Sequence, residues 1–395
     1  MVVDAVLLLF IHAISMNTFQ YHLGIDLHKE TSYWTLMDHE RKVLYKKNLP
    51  TSKEGVERGI REMGIAPSFV EAAIEPVSQW GWYGDMLEGN GFTVHLVDVY
   101  KSKLIAGTKL KNDRVDSLTL ADMMRSDFLP TAYRAPETTR DLREFMRHRA
   151  FLVRLRVRIR NRIHMMLQKH GIICPWTDLF GKSGLLWLKE QQLGDVYKRE
   201  LASLLGLFKE LSLHVAERDR ECLALAGKSK EAQTIMTIPG IGVVTSLTML
   251  AEIGDYARFP SPEKLASFAG LVSSSHSSGE KLRFGHITHR GSVWLRTALV
   301  ESTGKVSPKW GYLHDFYSHL RERKGNKIAR VALARKMLVL SWHLVTKAQM
   351  FNPRRTDSVK TEIPNFLEAL TSQNQLRPDH AHVNPDRRLI SAEIE

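Results

Sequence analysis

Four carboxylates carry the most specific chemistry this sequence can offer. Asp26 closes the apolar run Tyr21-His-Leu-Gly-Ile-Asp26, and Glu75 closes a second, Phe69-Val-Glu-Ala-Ala-Ile-Glu75. Asp113 and Asp116 stand three apart in Lys111-Asn-Asp-Arg-Val-Asp-Ser117. If that segment is helical, the last two share one face, with roughly 5–6 Å between their Cβ atoms. Two carboxylates at strand ends facing two on a helix make a negative cage that divalent cations must neutralise. Such a cage does two-metal phosphoryl transfer, with ions about 3.5–4 Å apart clamping the attacking and leaving oxygens. The bland alternative, solvated surface acids on an ordinary α/β domain, stands beside it.

The elements needed to position these acids are written around them. Residues 21–26, 31–37, 42–49, 69–75 and 92–98 read as strands, and 52–63, 79–89 and 114–126 as helices. Asp38-His-Glu-Arg41 and Gly89-Asn-Gly91 supply the turn chemistry between them. Three consecutive strands followed by alternating helices and strands is the order of the ribonuclease H fold. It puts Asp26 on the first strand, Glu75 at the end of the fourth, and Asp113 and Asp116 at the start of a late helix.

From about Thr138 to Lys228 the pattern becomes long helices. Leu152, Leu155, Ile159, Ile163 and Met166 recur at helical spacing. Nine arginines lie between Arg140 and Arg162, and Arg154, Arg158 and Arg162 form a stripe at i, i+4. Val153 to Arg160 also alternates with period two, so that stretch alone leaves helix and strand open; its long turn-free setting favours helix. The arginine face either tracks a phosphate backbone or is the solvated face of a coiled coil. A second helical run, 186–226, folds back on the first or pairs with another subunit.

Further on, Thr237-Ile-Pro-Gly-Ile-Gly242 before Val243–Ala251 resembles a helix-hairpin-helix turn. Gly240 and Gly242 would let backbone N–H groups reach a phosphate at a helix N-terminus. Phe268-Ala-Gly-Leu-Val-Ser-Ser-Ser-His-Ser-Ser-Gly279 reads as a serine-rich loop, of a kind that is ordinarily a linker. Here Lys281, Arg283, His286, His289, Arg290 and Arg296 flank it and could hold a phosphodiester and activate a hydroxyl. Residues 326–350 read as a helix, apolar on one face. Lys327, Arg330, Arg335 and Lys336 lie on its basic face, as packing or as nucleic-acid contacts.

Composition points the same way. In 395 residues, 56 Lys+Arg against 43 Asp+Glu give a net charge of +13 and a pI near 9.6. A basic chain with an acidic cluster fits nucleic acid held by the surface and cut at the acids. The two cysteines, Cys174 and Cys222, exclude a disulfide framework and a Cys-based zinc site, and fit a reducing cytoplasm. The apolar stretch Val6–Ile14 follows Asp4, lacks a basic flank, and is shorter than the roughly 20 residues a membrane span needs. Residues 1–20 are set aside as an extension, with Met16 an alternative start to Met1, and no membrane association is expected. After Asn352 the chain turns polar and proline-bearing, as a disordered tail would.

Gly-Ile-Asp26, Ile-Glu75 and Lys-Asn-Asp113-Arg-Val-Asp116 together resemble the DEDD domain of the insertion-sequence-110 transposases. Pro-Gly-Ile-Gly, Phe-Ala-Gly-Leu, Ser-Ser-Gly, Gly-His-Ile-Thr and Gly-Ser-Val-Trp-Leu-Arg resemble that family's second domain, shared with its 116 and 902 relatives. The resemblance covers roughly residues 20–350. It implies an α/β plus α architecture: a RuvC-like, ribonuclease-H-like domain over 21–130, a helical coiled-coil middle over 138–228, and a mainly helical serine-bearing domain over 231–350, before a tail at 352–395. It further implies a DNA recombinase whose metal ligands map onto Asp26, Glu75, Asp113 and Asp116, with Mg2+ as cofactor and Mn2+ as substitute. The family's nucleophilic serine maps onto Ser278, just before Gly279. Implied partners are double-stranded DNA, a noncoding bridge RNA and further copies of the chain, as dimer or tetramer. The implied location is the prokaryotic cytoplasm, acting at the nucleoid. Lys111, Arg114, Arg154, Arg158, Arg162, Gly240, Gly242, Lys281, Arg283, Arg290 and Arg296 are the nucleic-acid-binding candidates.

Several positions depart from the family's pattern. They are Asn112, Ser117 in place of a usual alanine, Pro76-Val77-Ser78 after Glu75, Ser273, and His289 in place of a lysine. None removes a required group, so an active protein is expected. Two rivals remain: a RuvC-like structure-selective metal-dependent endonuclease without a covalent step, and a non-catalytic binding protein. The first leaves the serine block idle; the second predicts that Asp26→Ala changes nothing.

Overall fold

The computed structural model describes residues 19–106, 113–278, 281–288 and 291–352; of these, 103–106, 113–116, 274–278 and 281–286 are described by backbone alone. Residues 1–18, Lys111, Asn112, Gly279, His289, Arg290 and the segment after Asn352 lie outside it. The chain divides into two compact units, Met1–Glu137 and Thr138–Glu395.

The first unit is a mixed α/β sheet with helices. Strands β1 (Tyr21–Leu27), β2 (Thr31–Asp38) and β3 (Val43–Pro50) form an antiparallel meander. Helix α1 (Lys53–Met63) follows; its N-cap Ser52 accepts from Gly55 N, and Gly64 closes it in the left-handed region. Then come β4 (Val70–Ile74), α2 (Trp80–Gly89), β5 (Thr93–Val97), α3 (Val99–Ala106), α4 (Asp113–Arg125) and β6 (Thr131–Ala132). The sheet order is β3-β2-β1-β4-β5-β6. β4 lies parallel to both β1 and β5.

Central strand β1 is buried from His22 to Leu27, as a strand covered on both faces must be. Side chains alternate along it. Leu23, Ile25 and Leu27 pack with Trp34, Leu36, Val56, Tyr83 and Leu87. The opposite face, carrying His22, Gly24 and Asp26, receives α4. Buried polar atoms on the apolar side find partners: Trp34 Nε1 donates to Tyr83 OH at 2.7 Å, and that hydroxyl shares a 2.8 Å hydrogen bond with Ser32 Oγ.

Among the described residues, the second unit is helical apart from one hairpin. It holds α5 (Glu137–Lys169), α6 (Lys182–Lys189), α7 (Asp195–Lys228), α8 (Lys230–Met236), α9 (Val243–Ile253) and α10 (Pro262–Phe268). After these come β7 (Ser273–Ser278), β8 (Lys281–Ile287), α11 (Val293–Ser302), α12 (Tyr312–Lys324) and α13 (Asn326–Thr346). The ambiguous stretch 153–160 is helical, because Leu152, Ile163, Met166 and Leu167 bury one face of α5. The expected run 186–226 is broken: α6 ends at Lys189, and α7 starts afresh with Gly194 at its N-cap. The serine-rich segment is a strand of a hairpin, not a loop. Met146 of α5 and Cys222 and Ala226 of α7 share a core with Ala232, Leu247 and Ala251, so the long helices are rooted in the later ones. Within that core the Cys222 thiol points at Met146 Sδ, 3.9 Å away.

Candidate active site

The sheet sets the first two acids side by side. Ile25 of β1 is in register with Ile74 of the parallel strand β4, so Asp26 and Glu75 are the next residues along neighbouring strands, whose backbones run about 4.8 Å apart. Asp26 is only 5% exposed and pairs with His28 Nε2 at 3.2 Å. Glu75 is half-buried, and its carbonyl accepts from Val77 N at 2.9 Å, which turns the chain just after the strand.

The other two acids arrive on α4, which Asp113 opens, with Asp116 one turn in. What seats this helix is a glycine. A Cβ on Gly24 would overlap the Ser117 carbonyl oxygen and come 2.7 Å from Ala121 N; only a residue without a side chain lets α4 lie backbone-to-backbone on β1. Ser117 is fully buried and shares a 2.8 Å hydrogen bond with Thr35 Oγ1 of β2. Thr35 lies opposite Gly24 across the β1–β2 ladder. Leu120 and Met124 complete the contact on Ala73 and Val97. Ser117, a departure from the family's usual alanine, is therefore a fastening point immediately after Asp116. The donor set is all oxygen, and Asp26 within it is a buried carboxylate, which needs a cation or hydrogen bonds to stay charged. These residues fit a divalent metal.

A second buried acid on the same face went unmarked in the sequence. Glu71 accepts from His22 Nδ1 at 2.7 Å and from His95 Nε2 at 3.0 Å. Burial raises its pKa, but the hydrogen bonds and charges of His22 and His95 outweigh that and hold the carboxyl below the usual glutamate range. This triad joins β1, β4 and β5 toward the start of β1 and β4, away from the end that carries Asp26 and Glu75. The signal was available: a charged residue inside the apolar run Phe69–Ile74.

Ser278 is the last residue of β7, paired with Lys281 across the hairpin. Lys281 and Arg283 lie on β8, and Arg114 on α4. Arg296 is half-buried; its Nη1 donates to Ala269 O at 3.1 Å, and burial lowers its pKa, so this candidate is tied into the fold. Gly240 faces inward, where a Cβ would meet Ser302 O at 2.8 Å and Val306 Cγ2 at 2.9 Å, whereas Gly242 has open space around it at the N-cap of α9.

The arginines of α5 separate into two groups. Arg143 donates to Ala251 O at 3.1 Å, Arg147 grips Glu252, and Arg149 pairs with Asp219 at 2.6 Å. Arg154, Arg158 and Arg162 are exposed. Arg162 pairs with Glu200 at 2.7 Å, and the Arg154 guanidinium lies 4.2 Å from the Trp294 ring centroid. On α13, Arg330 donates to Thr303 Oγ1, and Lys336 sits over Tyr312 and Phe316. Among the described residues no helix is long and apolar enough to cross a membrane.

Comparison with known proteins covers both units. Residues 23–172 match the family model of the DEDD transposases of IS110, and residues 232–318 match that of the transposase IS116/IS110/IS902 family. The transposase for insertion sequence element IS1111A of Coxiella burnetii is 26% identical over 336 residues, spanning 83% of this chain and 90% of the relative. A probable family 20 transposase of Pseudomonas aeruginosa is 23% identical over 84% of this chain and 98% of its own length. The pilin gene-inverting protein of Moraxella bovis is 32% identical over 126 residues, 31% of this chain and 39% of the relative.

Proposed function

The chain belongs to the IS116/IS110/IS902 family of insertion-sequence transposases, enzymes that cut and rejoin DNA, and from that premise we propose how its residues divide the work. The first unit is a ribonuclease-H-like, RuvC-like domain in which Asp26, Glu75, Asp113 and Asp116 hold Mg2+, with Mn2+ able to replace it. The bound ion would supply Lewis-acid stabilisation of charge on the phosphate oxygens. The observation that carries this assignment is the register of β1 with β4, which brings Asp26 and Glu75 to the same edge of the sheet, beside a helix opened by Asp113.

Ser278 is the nucleophile. Its Oγ attacks a DNA phosphorus, the bond from that phosphorus to one deoxyribose oxygen breaks, and a serine–phosphodiester forms. The serine proton passes to a base, and the departing oxygen gains one to become a free hydroxyl. Attack by the hydroxyl of another strand then releases the serine and restores the phosphodiester, with no net hydrolysis. The name of the Moraxella relative, a gene-inverting protein, favours this reading, because inversion requires every cut end to be rejoined. Exposed Arg154 and Arg158, with open Gly242, are the described candidates for phosphate contact. DNA and a noncoding bridge RNA are the polyanions such a surface serves. Leu207 and Leu213, each 52% exposed on α7, support pairing with a second copy, in a dimer or tetramer.

The test is covalent capture. Purified protein, RNA transcribed from the flank of its gene, end-labelled element-junction DNA and Mg2+ are mixed and resolved on a denaturing gel. A protein–DNA adduct lost in both Ser278→Ala and Asp26→Ala is expected. Free cleaved ends that survive Ser278→Ala but not Asp26→Ala would show a hydrolysing metal nuclease instead.

A further inference from the structure

The hairpin bearing Ser278 leaves the helical core at two points, and both are pinned. On the way out, Ala269 O accepts from Arg296 Nη1. On the way back, Thr288 N donates to Val272 O at 2.9 Å. Gly291, at φ +90°, lies so close to Phe268 that any Cβ would overlap the Phe268 carbonyl oxygen. Ser292 then caps α11: its Oγ accepts from Leu295 N at 3.1 Å and donates to Glu252 Oε2 at 2.8 Å.

Glu252 is the unexpected member of this group. It is 5% exposed and stands in the last turn of α9, where the helix dipole disfavours an anion. Arg147 of α5 holds it with a fork, Nε to Oε1 at 3.0 Å and Nη2 to Oε2 at 3.1 Å. An ion pair that buries its carboxylate is seldom the most stabilising choice at such a place, since well-packed apolar residues do as well or better. What the pair adds is direction: two planar groups and a hydroxyl lock α5, α9 and the start of α11 in one arrangement.

We propose that Glu252 is a positioning residue, tying the base of the serine hairpin to the arginine helix α5 through Ser292 and Arg147 and thereby fixing where Ser278 is presented. The inference rests on the reading of Ser278 as nucleophile. β7 runs five residue steps from Ser273 to Ser278, an arm of about 17 Å. A tilt of about 3° at its base moves its end by about 1 Å, and a misplacement of that size costs a reaction about a hundredfold. Arg154 stacks on Trp294, two residues beyond Ser292, so this exposed arginine of α5 is tied to the mounting of the serine.

Four variants of the full chain test this: Glu252→Gln, Ser292→Gly, Ser278→Ala and Ser341→Ala. Ser292→Gly removes the link to Glu252 while keeping a residue that caps nearly as well as serine, so it carries the test if Glu252→Gln does not fold. Ser341→Ala removes an unrelated buried hydrogen bond, donated by Tyr256 OH to Ser341 Oγ, and serves as a destabilised control. DNA affinity, Tm and the single-turnover cleavage rate at saturating DNA are measured for each. Glu252→Gln and Ser292→Gly are expected to bind DNA within about twofold of wild type but to cleave about ten- to a hundredfold more slowly. Ser341→Ala should cleave at the wild-type rate. Wild-type cleavage in the first two, or an equal rate loss in Ser341→Ala, would overturn the proposal. Cleavage surviving Ser278→Ala would overturn the nucleophile assignment. The positioning role would fall with it, whereas loss of cleavage in Ser278→Ala together with a wild-type rate in Glu252→Gln would overturn the positioning role alone.

Discussion

The two units hold their proposed reactive groups by different means. In the first, the acids grow from a six-stranded sheet whose spacing is set by backbone hydrogen bonds, and α4 is laid directly on β1 at Gly24. In the second, the serine rides on a two-stranded hairpin, a structure marginal by itself, held at its base by polar side chains from three helices. Backbone packing gives a fixed site that tolerates little change in shape. Polar clamps give one that can be re-aimed by changing a single side chain. On the proposed assignment the division suits the chemistry: a ligand cage is held by rigid backbone packing, whereas the position of a nucleophile is set by side chains at the base of its hairpin.

The sharpest way to break this contrast is Gly24→Ala. A methyl group there has only backbone to push against, so unfolding in urea should show a loss of ~3 kcal/mol or more; a loss under 1 kcal/mol would mean that α4 is not seated as described. Next is Glu71→Gln, expected to cost ~2 kcal/mol at neutral pH through the lost charged hydrogen bonds from His22 and His95. Because the folded pKa of Glu71 is depressed, its contribution is present above the ordinary glutamate value of about 4.3 and is lost as pH falls through the lower folded value. Wild type should therefore lose stability more steeply than the variant on that acid limb, and parallel curves would exclude the linkage. For the clamps, Arg147→Met should cost about 1–2 kcal/mol, the buried-pair penalty reduced because Arg147 is 40% exposed. A drop in cleavage well beyond that loss of fold would sharpen the contrast. The smallest effect belongs to Ser117→Ala, ~1 kcal/mol for one buried hydrogen bond, read from thermal unfolding with and without Mg2+. If Ser117 fastens the helix that carries Asp116, the variant should also gain less in Tm from the ion than wild type does.

Much of the first unit was legible because its strands are apolar runs punctuated by turn residues, and because Asp26 and Glu75 stand where those runs stop. Strand β6, at two residues, is too short to leave a pattern. The segment 273–278 contains only serine and histidine, so nothing local marks it as a strand; its structure comes from pairing with Lys281–Ile287. The fastenings were hidden for another reason. Ser117 bonds across 82 positions, and Glu252 across 105 to Arg147 and 40 to Ser292, distances at which a sequence carries no local periodicity. Of these only Ser292 has a local signal, a serine directly before an apolar run where a helix cap belongs. The arginine stripe was legible as a stripe, but which arginines are committed to the fold depends on those same distant partners.

The core shared by α5, α7 and α9 has a practical consequence for chemical labelling. Burial there pushes the Cys222 thiol up to about 11, which keeps it protonated and unreactive at neutral pH. The chain has one other cysteine, Cys174, only half-buried. Replacing Cys174 alone should leave a background nearly silent to alkylating reagents, so that a single reporter cysteine introduced beside the hairpin would give an optical or magnetic readout of its tilt during turnover.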